Sequence, residues 1–221
     1  MPLCIVVGAG PGMGAAIAGR FGREGFDLAL IARDGARLEA LAADLARSGI
    51  AASVHAVDIC DKNALGRAFE AIAQAKGPAH VLVYNAARWH ECPAMDLDPE
   101  DFAWDLSLCV TGALISTQCV YPAMRDAGSG TILFTGGGLA LNPQYGRGVA
   151  SLTAGKSALR GLTFAMAGEL AEAGIHVATV TIAGTVDPTS PTLAPDRIAE
   201  HYWMLHRQER DRWSIEVVVS G

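Results

Sequence analysis

The stretch Leu3-Cys4-Ile5-Val6-Val7-Gly8-Ala9-Gly10-Pro11-Gly12-Met13-Gly14-Ala15-Ala16-Ile17 decides the fold of this chain. It begins with an apolar run, continues through a glycine-rich turn and ends in residues with helical apolar spacing. Glycines let the backbone turn tightly and approach a pyrophosphate, which then meets the free N–H groups at the helix start. The glycines fit the spacing G-x-x-x-G-x-G, whereas Met13 stands where the third glycine of G-x-G-x-x-G belongs. The stretch therefore predicts a strand, turn and helix that bind a dinucleotide.

The same alternation of apolar runs and helical segments continues along the chain. Five further strands are predicted, at Asp27–Ala32, Ala52–Val57, His80–Val83, Thr131–Thr135 and His176–Ile182. Segments such as Ala15–Arg23 and Ala36–Ser48 have the apolar spacing of helices. Continuously apolar strands that alternate with helices indicate a parallel sheet covered on both faces. We expect an α/β protein with a doubly wound parallel sheet, a single-domain Rossmann fold over residues 1–221.

Composition excludes several classes of protein. The chain has 221 residues, of which 51% are hydrophobic and 18% charged, and its net charge of −6 disfavours binding to nucleic acid. Its five cysteines form no C-x-x-C pair, which argues against disulfides and a metal site. Arg20 is the first basic residue, so no secretory signal is expected. We also expect no segment apolar enough to span a membrane, and a cytoplasmic location.

Several later positions, taken with the glycine turn, show which family the chain resembles. An acid follows the third strand in Val57-Asp58-Ile59, Asn85-Ala86 follows the fourth, Lys156 lies early in a helix, and Ala183-Gly184 follows the sixth. In order and spacing they resemble the short-chain dehydrogenase/reductase family. The resemblance implies a nicotinamide dinucleotide bound by Gly8, Gly10, Gly12, Met13, Gly14, Arg33, Asp58, Ile59, Asn85, Ala86, Lys156, Gly184 and Val186.

The residues at the end of the second strand indicate which nicotinamide cofactor is used. An acid there binds a ribose 2′-hydroxyl, and an arginine accommodates a 2′-phosphate. The acid position falls on Ala32 and is followed by Arg33, which favours NADP(H) over NAD(H). In the alternatives, Arg33 is only a solvated loop charge, or Asp34 restores NAD binding by a shift of register.

The catalytic set that the resemblance implies is mostly absent. The family uses a tyrosine as acid or base, a serine that polarises the carbonyl, an asparagine in a proton relay and a lysine that binds the ribose. The tyrosine position holds Leu152, the serine position Gly137 or Gly138, and the asparagine position Cys109. Only Lys156 remains of these four catalytic residues.

Other residues are candidates to replace the lost groups. Tyr145 lies in a loop eleven residues before the lysine. His90 follows the fourth strand, and histidine side chains often transfer protons at neutral pH. Tyr84 and Trp89 are expected to line the same pocket as His90. Ser151 and Thr153 flank the lost tyrosine and should point away from its helix face, and the segment Gly184–Ala194 is too short for a large lid.

Two hypotheses of function are retained. The chain is an oxidoreductase of unknown carbonyl or alcohol substrate with altered catalytic residues, or a non-catalytic NADP(H)-binding sensor or partner subunit. A non-redox lyase or isomerase has no support beyond the pocket. The apolar helices predicted in Phe102–Met124 and Ser151–Ala173 favour a homo-oligomer, since the family pairs the corresponding helices across a dimer axis.

Overall fold

The computed structural model describes residues 1–221 and contains one sheet of seven parallel strands. The strands are β1 (Leu3–Val7), β2 (Asp27–Ala32), β3 (Ala52–Ala56), β4 (Val81–Tyr84), β5 (Gly130–Gly137), β6 (Ile175–Ala183) and β7 (Glu216–Ser220). Their order across the sheet is β3-β2-β1-β4-β5-β6-β7. The six predicted strands are confirmed with small shifts at their ends, and β7 was missed.

Seven α-helices connect and cover the strands. They are α1 (Met13–Arg23), α2 (Gly35–Arg47), α3 (Lys62–Lys76), α4 (Pro99–Leu106), α5 (Gly112–Ala127), α6 (Ala150–Ala171) and α7 (Pro195–His206). A π-helical turn, Ser107–Thr111, joins α4 to α5. Helices α1, α2 and α7 pack on one face of the sheet, and α3, α5 and α6 pack on the other. Each face has its own buried apolar core, as the continuously apolar strands predicted.

The strand order places a crevice at the carboxyl ends of β1 and β4. Chain progression runs from β1 towards β3 on one side and from β4 towards β7 on the other. Val7 pairs with Ile31 of β2 and with Tyr84 of β4, so the three strands end at nearly the same level. In a doubly wound sheet, ligands bind where the order reverses, because the loops diverge there.

One segment departs from the expectation about membrane spans. Pro99–Ala127 includes an 18-residue stretch with a mean hydropathy of 1.3, long and apolar enough to cross a membrane by length and composition alone. The expectation that no such segment exists is therefore wrong. Within the domain this segment packs against α3, α6 and the strands β4 and β5. Only 39% of the stretch is buried within the chain.

Candidate functional site

The glycine turn after β1 leaves no room for side chains at two of its positions. A Cβ at Gly8, where φ is +82°, would lie 2.5 Å from the backbone nitrogen of Ala86. A Cβ at Gly14 would lie 2.9 Å from the Cα of Ala9. Gly10 has no atom within 4 Å of such a Cβ. Close backbone approach therefore requires Gly8 and Gly14, whereas the chain itself does not require Gly10.

The turn is fixed from both neighbouring strands and ends in an open helix N-terminus. The N–H groups of Gly8 and Ala9 both donate to the carbonyl of Ile31, over 2.8 and 3.1 Å. The side-chain amide of Asn85 donates to the carbonyl of Gly8 over 3.0 Å. Helix α1 has no side-chain cap and no acidic residue in its first turn. Its free N–H groups and positive dipole end can therefore bind a phosphate.

A cleft of about 260 Å³ continues from the glycine turn towards the end of β2. Of the predicted cofactor residues, Gly8, Gly10, Arg33, Ile59, Asn85 and Ala86 line this cleft. Asp58 lies outside its walls, where its carboxylate accepts a hydrogen bond from the backbone N–H of Cys60. Met13 and Val186 are half-buried and pack against the core on the α1 side. The structure thus gathers part of the predicted set into one cleft.

Arg33 and Asp34 have different surroundings in this cleft. The Arg33 guanidinium lies 5.0 Å from the ring centre of Trp104 and pairs with no carboxylate. The carboxylate of Asp34 caps α2, accepting from the N–H of Arg37 over 3.1 Å and pairing with its guanidinium. Asp34 thus caps α2 and pairs with Arg37, which the sequence did not single out, and makes no ion pair with Arg33.

Lys156 is buried beside Gly137, one of the two positions that the sequence predicts for the family's serine. Its ammonium donates to the carbonyl of Thr135 over 2.7 Å and has no carboxylate partner. Burial lowers the pKa of Lys156. A Cβ at Gly137 would contact the Lys156 side chain, whereas one at Gly138 would lie 2.9 Å from the Cα of Ala183. Of the two glycines, Gly137 therefore faces the lysine.

Cys109 lies on the π-helical turn between α4 and α5. It is buried, and a Cβ at Gly155 would lie 3.0 Å from the Cβ of Cys109, so the turn packs closely on α6. Burial raises the pKa of the Cys109 thiol. A buried protonated thiol is a weak hydrogen-bond donor and cannot replace an amide in a relay.

A hydrogen-bond network that the sequence did not reveal joins the glycine turn to α7. The Thr135 hydroxyl donates to Asn85 over 2.8 Å and lies 2.6 Å from the hydroxyl of Tyr202. Tyr202 is fully buried on α7. Because Asn85 holds Gly8 and the Thr135 carbonyl holds Lys156, Thr135 connects both ends of the crevice.

A second, larger cavity of about 960 Å³ opens beyond Lys156. Its walls include Leu152, Gly137 and Gly184, together with the rings of Trp89 and Tyr145. The rings of Trp89 and Tyr145 lie at its mouth and are 65% and 75% exposed. The structure thus brings Tyr145 to the same cavity as Lys156, although its loop lies outside the helix that carries the lysine.

Two of the residues predicted to line this pocket lie elsewhere. Tyr84 is fully buried, and its hydroxyl donates to the carbonyl of Leu108, so its assignment to the pocket is wrong. His90 also lies outside the cavity walls, with its Nδ1 2.9 Å from a carboxylate oxygen of Asp105. Both errors have the same cause, since position after a strand does not fix the direction of a side chain.

Asp105 is the centre of a buried polar cluster. It accepts from the guanidinium of Arg88 over 2.6 Å and from the hydroxyl of Ser151 over 2.7 Å, besides its contact with His90. Burial raises the pKa of Asp105, but these hydrogen bonds outweigh it and leave the pKa below its usual value. The cluster ties the loop after β4 to the start of α6. Ser151 points away from the cavity, as predicted.

Comparison with known proteins agrees with this geometry. Residues 3–196 match the family model described as short chain dehydrogenase. Galactitol 2-dehydrogenase (L-tagatose-forming) of Cereibacter sphaeroides is 34% identical over 179 residues, 78% of this chain and 66% of that protein. D-threitol dehydrogenase of Mycolicibacterium smegmatis is 31% identical over 131 residues, 59% of this chain. The chain spans only half the length of that relative.

Solved structures give the same result over nearly the whole chain. A metagenomic short-chain oxidoreductase in complex with NADP is 29% identical, with a TM-score of 0.90 over 99% of this chain and 96% of that one. A short-chain dehydrogenase from Sphingobium yanoikuyae in complex with NADPH is 28% identical, with a TM-score of 0.83 over 100% and 87%. The family model and the solved structures both cover most of the chain, and this chain belongs to the short-chain dehydrogenase/reductase family of nicotinamide-dependent oxidoreductases.

Proposed function

We propose that this protein is an NADP(H)-dependent oxidoreductase that interconverts a carbonyl compound and an alcohol in the larger cavity. The observation that carries the proposal is the position of Lys156. Its side chain forms part of the cavity wall, and its hydrogen bond to Thr135 connects it through Asn85 to the glycine turn. Cofactor and substrate regions are therefore joined by one set of hydrogen bonds.

The residues of the crevice fit a nicotinamide dinucleotide. The pyrophosphate binds at the glycine turn and the N-terminus of α1, and Lys156 binds the nicotinamide ribose, as its place in the family implies. Asp58 and Ile59 flank the adenine, Met13 and Val186 support the turn and the nicotinamide side, and Gly184 borders the cavity. Bound NADPH supplies a hydride for carbonyl reduction.

The proton for the substrate oxygen has to come from a group other than the residue at position 152, because leucine carries no exchangeable proton. Tyr145 has a free hydroxyl at the mouth of the same cavity, and water enters through that mouth. The buried position of Lys156 keeps its ammonium oriented by the Thr135 carbonyl. We infer that proton transfer is slower here than in a site with a tyrosine beside the lysine.

The experiment is to titrate the purified protein with NADPH and then screen aldehydes, ketones and sugars for cofactor oxidation. Turnover that falls in Tyr145→Phe and persists in Tyr121→Phe, the same change on α5 outside the cavity, would support Tyr145 as the proton donor. Binding of NADPH without oxidation by any compound would contradict the catalytic proposal.

A second candidate function is a non-catalytic NADP(H) sensor or partner subunit. It is favoured by one observation, the apolar surface that Leu152 and Gly137 present beside Lys156. In that case binding of NADPH should change the protein's association with a partner or its stability without consuming the cofactor. The two candidates separate in the same experiment, since only the enzyme oxidises NADPH.

Selectivity for NADP(H) is proposed from the charges near the end of β2. Arg33 has no acidic partner. The carboxylate of Asp34 caps α2 and pairs with Arg37. NADPH should bind more tightly than NADH, and Arg33→Ala should narrow the difference by roughly 1.5–3 kcal/mol. Arg67→Ala, at an exposed position of helix α3, is the matched control. Equal affinities for the two cofactors in the unchanged protein would contradict the proposal.

We also propose that the protein is a cytoplasmic homo-oligomer. The apolar stretch in Pro99–Ala127 is only partly buried within one chain, and Phe164 on α6 is 41% exposed. All five cysteines are free, which fits a reducing compartment. Sedimentation at micromolar concentration should give a mass above the 23.0 kDa of one chain. A monomer would contradict the oligomer, and membrane-bound protein after cell fractionation would contradict the location.

A further inference from the structure

The mouth of the larger cavity is formed by two loops that are joined to each other. The N–H of Cys92, in the loop after β4, donates to the carbonyl of Gly148, in the loop after β5, over 2.8 Å. Cys92 also forms a β-bridge with Val149. These contacts fix the loops that carry the rings of Trp89 and Tyr145, so the two exposed rings belong to one ordered rim.

The interior below this rim is mainly apolar. Leu139, Val149, Leu152 and Ile182 form much of the wall. Apolar surface that is continuous from exposed rings into a cavity is typical of a ligand-binding groove, and aromatic rings supply much of the contact area in such sites. A substrate with an apolar, ring-bearing body would cover this surface, whereas a small polyol would leave it in water.

The charged residues of the cavity differ in how they are paired. Lys156 is held by a carbonyl deep in the wall, and Glu91 at the rim accepts a hydrogen bond from the indole N–H of Trp89 over 2.8 Å. Arg147 lines the same cavity from the loop after β5 and makes neither an ion pair nor a side-chain hydrogen bond. Its guanidinium is free to bind an anion, and its fork matches the geometry of a carboxylate.

We propose that the substrate is an amphiphilic carboxylic acid, whose ring-bearing body lies between Trp89 and Tyr145 and whose carboxylate is bound by Arg147. This inference rests on the proposed function, because it names the substrate class of the same cavity. Lys156 is too deeply buried to serve as the carboxylate's partner while it also binds the ribose. Arg147 is thus a specificity-determining residue.

The test compares an acid with its neutral counterpart. With the protein saturated with NADP⁺, isothermal calorimetry measures binding of 4-oxo-4-phenylbutanoate and of the corresponding primary amide, which has nearly the same shape. The acid should bind about threefold more tightly than the amide, as expected for an ion pair with an exposed arginine. Arg147→Gln should remove this preference without changing the affinity for the amide.

Two further variants sharpen the result. Glu91→Gln removes the negative charge at the rim and should strengthen binding of the acid about twofold, while leaving the amide unaffected. Arg67→Gln, which removes an exposed arginine on α3 outside the cavity, should leave the preference unchanged. Arg147→Lys should retain part of the preference, because the charge remains but the fork is lost.

Each outcome supports or overturns the inference. Equal binding of acid and amide, binding of neither at millimolar concentration, or a preference that survives in Arg147→Gln would overturn it. A protein that binds NADP⁺ but shows one of these results loses only the inference about the substrate. A protein that does not bind NADP(H) at all loses the proposed function as well.

Discussion

The two halves of the crevice differ in which part of the chain carries the function. On the side of β1 to β3, the groups suited to bind a phosphate belong to the backbone, in the glycine turn and at the open N-terminus of α1. On the side of β4 to β6, the family's chemistry depends on side-chain hydroxyls, and here Leu152 and Gly137 carry none. The fold and the glycine turn are those expected of the family, whereas in the catalytic half Lys156 is the one residue of the expected set that the sequence retains.

This difference shows that phosphate binding is less sensitive than proton transfer to the replacement of a single side chain. A backbone N–H remains whatever side chain the residue carries, so phosphate binding needs only the conformation and the space that glycine provides. A proton donor disappears when a single side chain changes. Close backbone contact therefore constrains Gly8 in the cofactor half, whereas a Cβ at Gly137 in the catalytic half would meet only the flexible side chain of Lys156.

The largest effect is expected in the glycine turn. Gly8→Ala adds a Cβ against the backbone of Ala86 at positive φ, so it should cost about 3 kcal/mol or more and weaken NADPH binding at least about 100-fold. Gly10→Ala, which meets no neighbour, should change stability by less than about 1 kcal/mol. Urea unfolding and cofactor titration measure both. Equal losses in the two variants would mean that the turn is not constrained by close approach.

The next effect concerns the polar cluster of the catalytic half. Asp105→Ala removes the buried carboxylate that pairs with Arg88 and accepts from Ser151, and it should cost about 2 kcal/mol. Asp101→Ala, which removes a more exposed partner of the same arginine, should cost less than about 1 kcal/mol. Urea unfolding at neutral pH distinguishes the two changes. Similar losses would show that Arg88 does not depend on the buried carboxylate.

The same cluster predicts a dependence on pH. Because the folded protein holds the pKa of Asp105 below its usual value, the carboxylate's contribution to stability is complete above the pKa of an unfolded aspartate, about 3.9. The contribution is lost as the pH falls from there through the pKa of the folded state. The stability difference between the unchanged protein and Asp105→Ala should therefore shrink on acidification, and a constant difference would contradict the assignment.

A gain of function should follow when the missing hydroxyls are restored. Leu152→Tyr with Gly137→Ser should raise NADPH-dependent carbonyl reduction by about 10–100-fold, since a positioned acid usually contributes at least that much. Leu152→Tyr with Gly138→Ser is the matched control, because the added Cβ would meet the backbone of Ala183. Affinity for NADPH should change little in the first variant. No gain with cofactor binding intact would mean that more than these two groups is missing.

The smallest effect tests the network that joins the two halves. Tyr202→Phe removes one hydroxyl from Thr135 and should cost about 1 kcal/mol of stability, with about a twofold loss of NADPH affinity transmitted through Asn85. Tyr145→Phe, on the exposed rim, should leave both quantities unchanged. A larger effect from the rim tyrosine than from Tyr202 would contradict the role of the network.

Sequence reasoning found most of the fold and part of the site. The period and composition of the apolar runs predicted six strands, and the short β7 was missed because Glu216 interrupts its apolar character. In the structure that carboxylate pairs with Arg160 and accepts from Thr181, two contacts that are distant in the sequence. Tyr84 was misassigned for a related reason, since its direction depends on the packing of the π-helical turn and α5.

The sequence by itself determined the parallel sheet, the glycine turn, Lys156 and the leucine at position 152, because each depends on local residue type and spacing. Only the tertiary structure decided that Gly137 rather than Gly138 faces Lys156, that Asp34 pairs with Arg37, and that Tyr145 lines the same cavity as the lysine. These depend on where separate loops meet in space, and local spacing cannot encode contacts made between them.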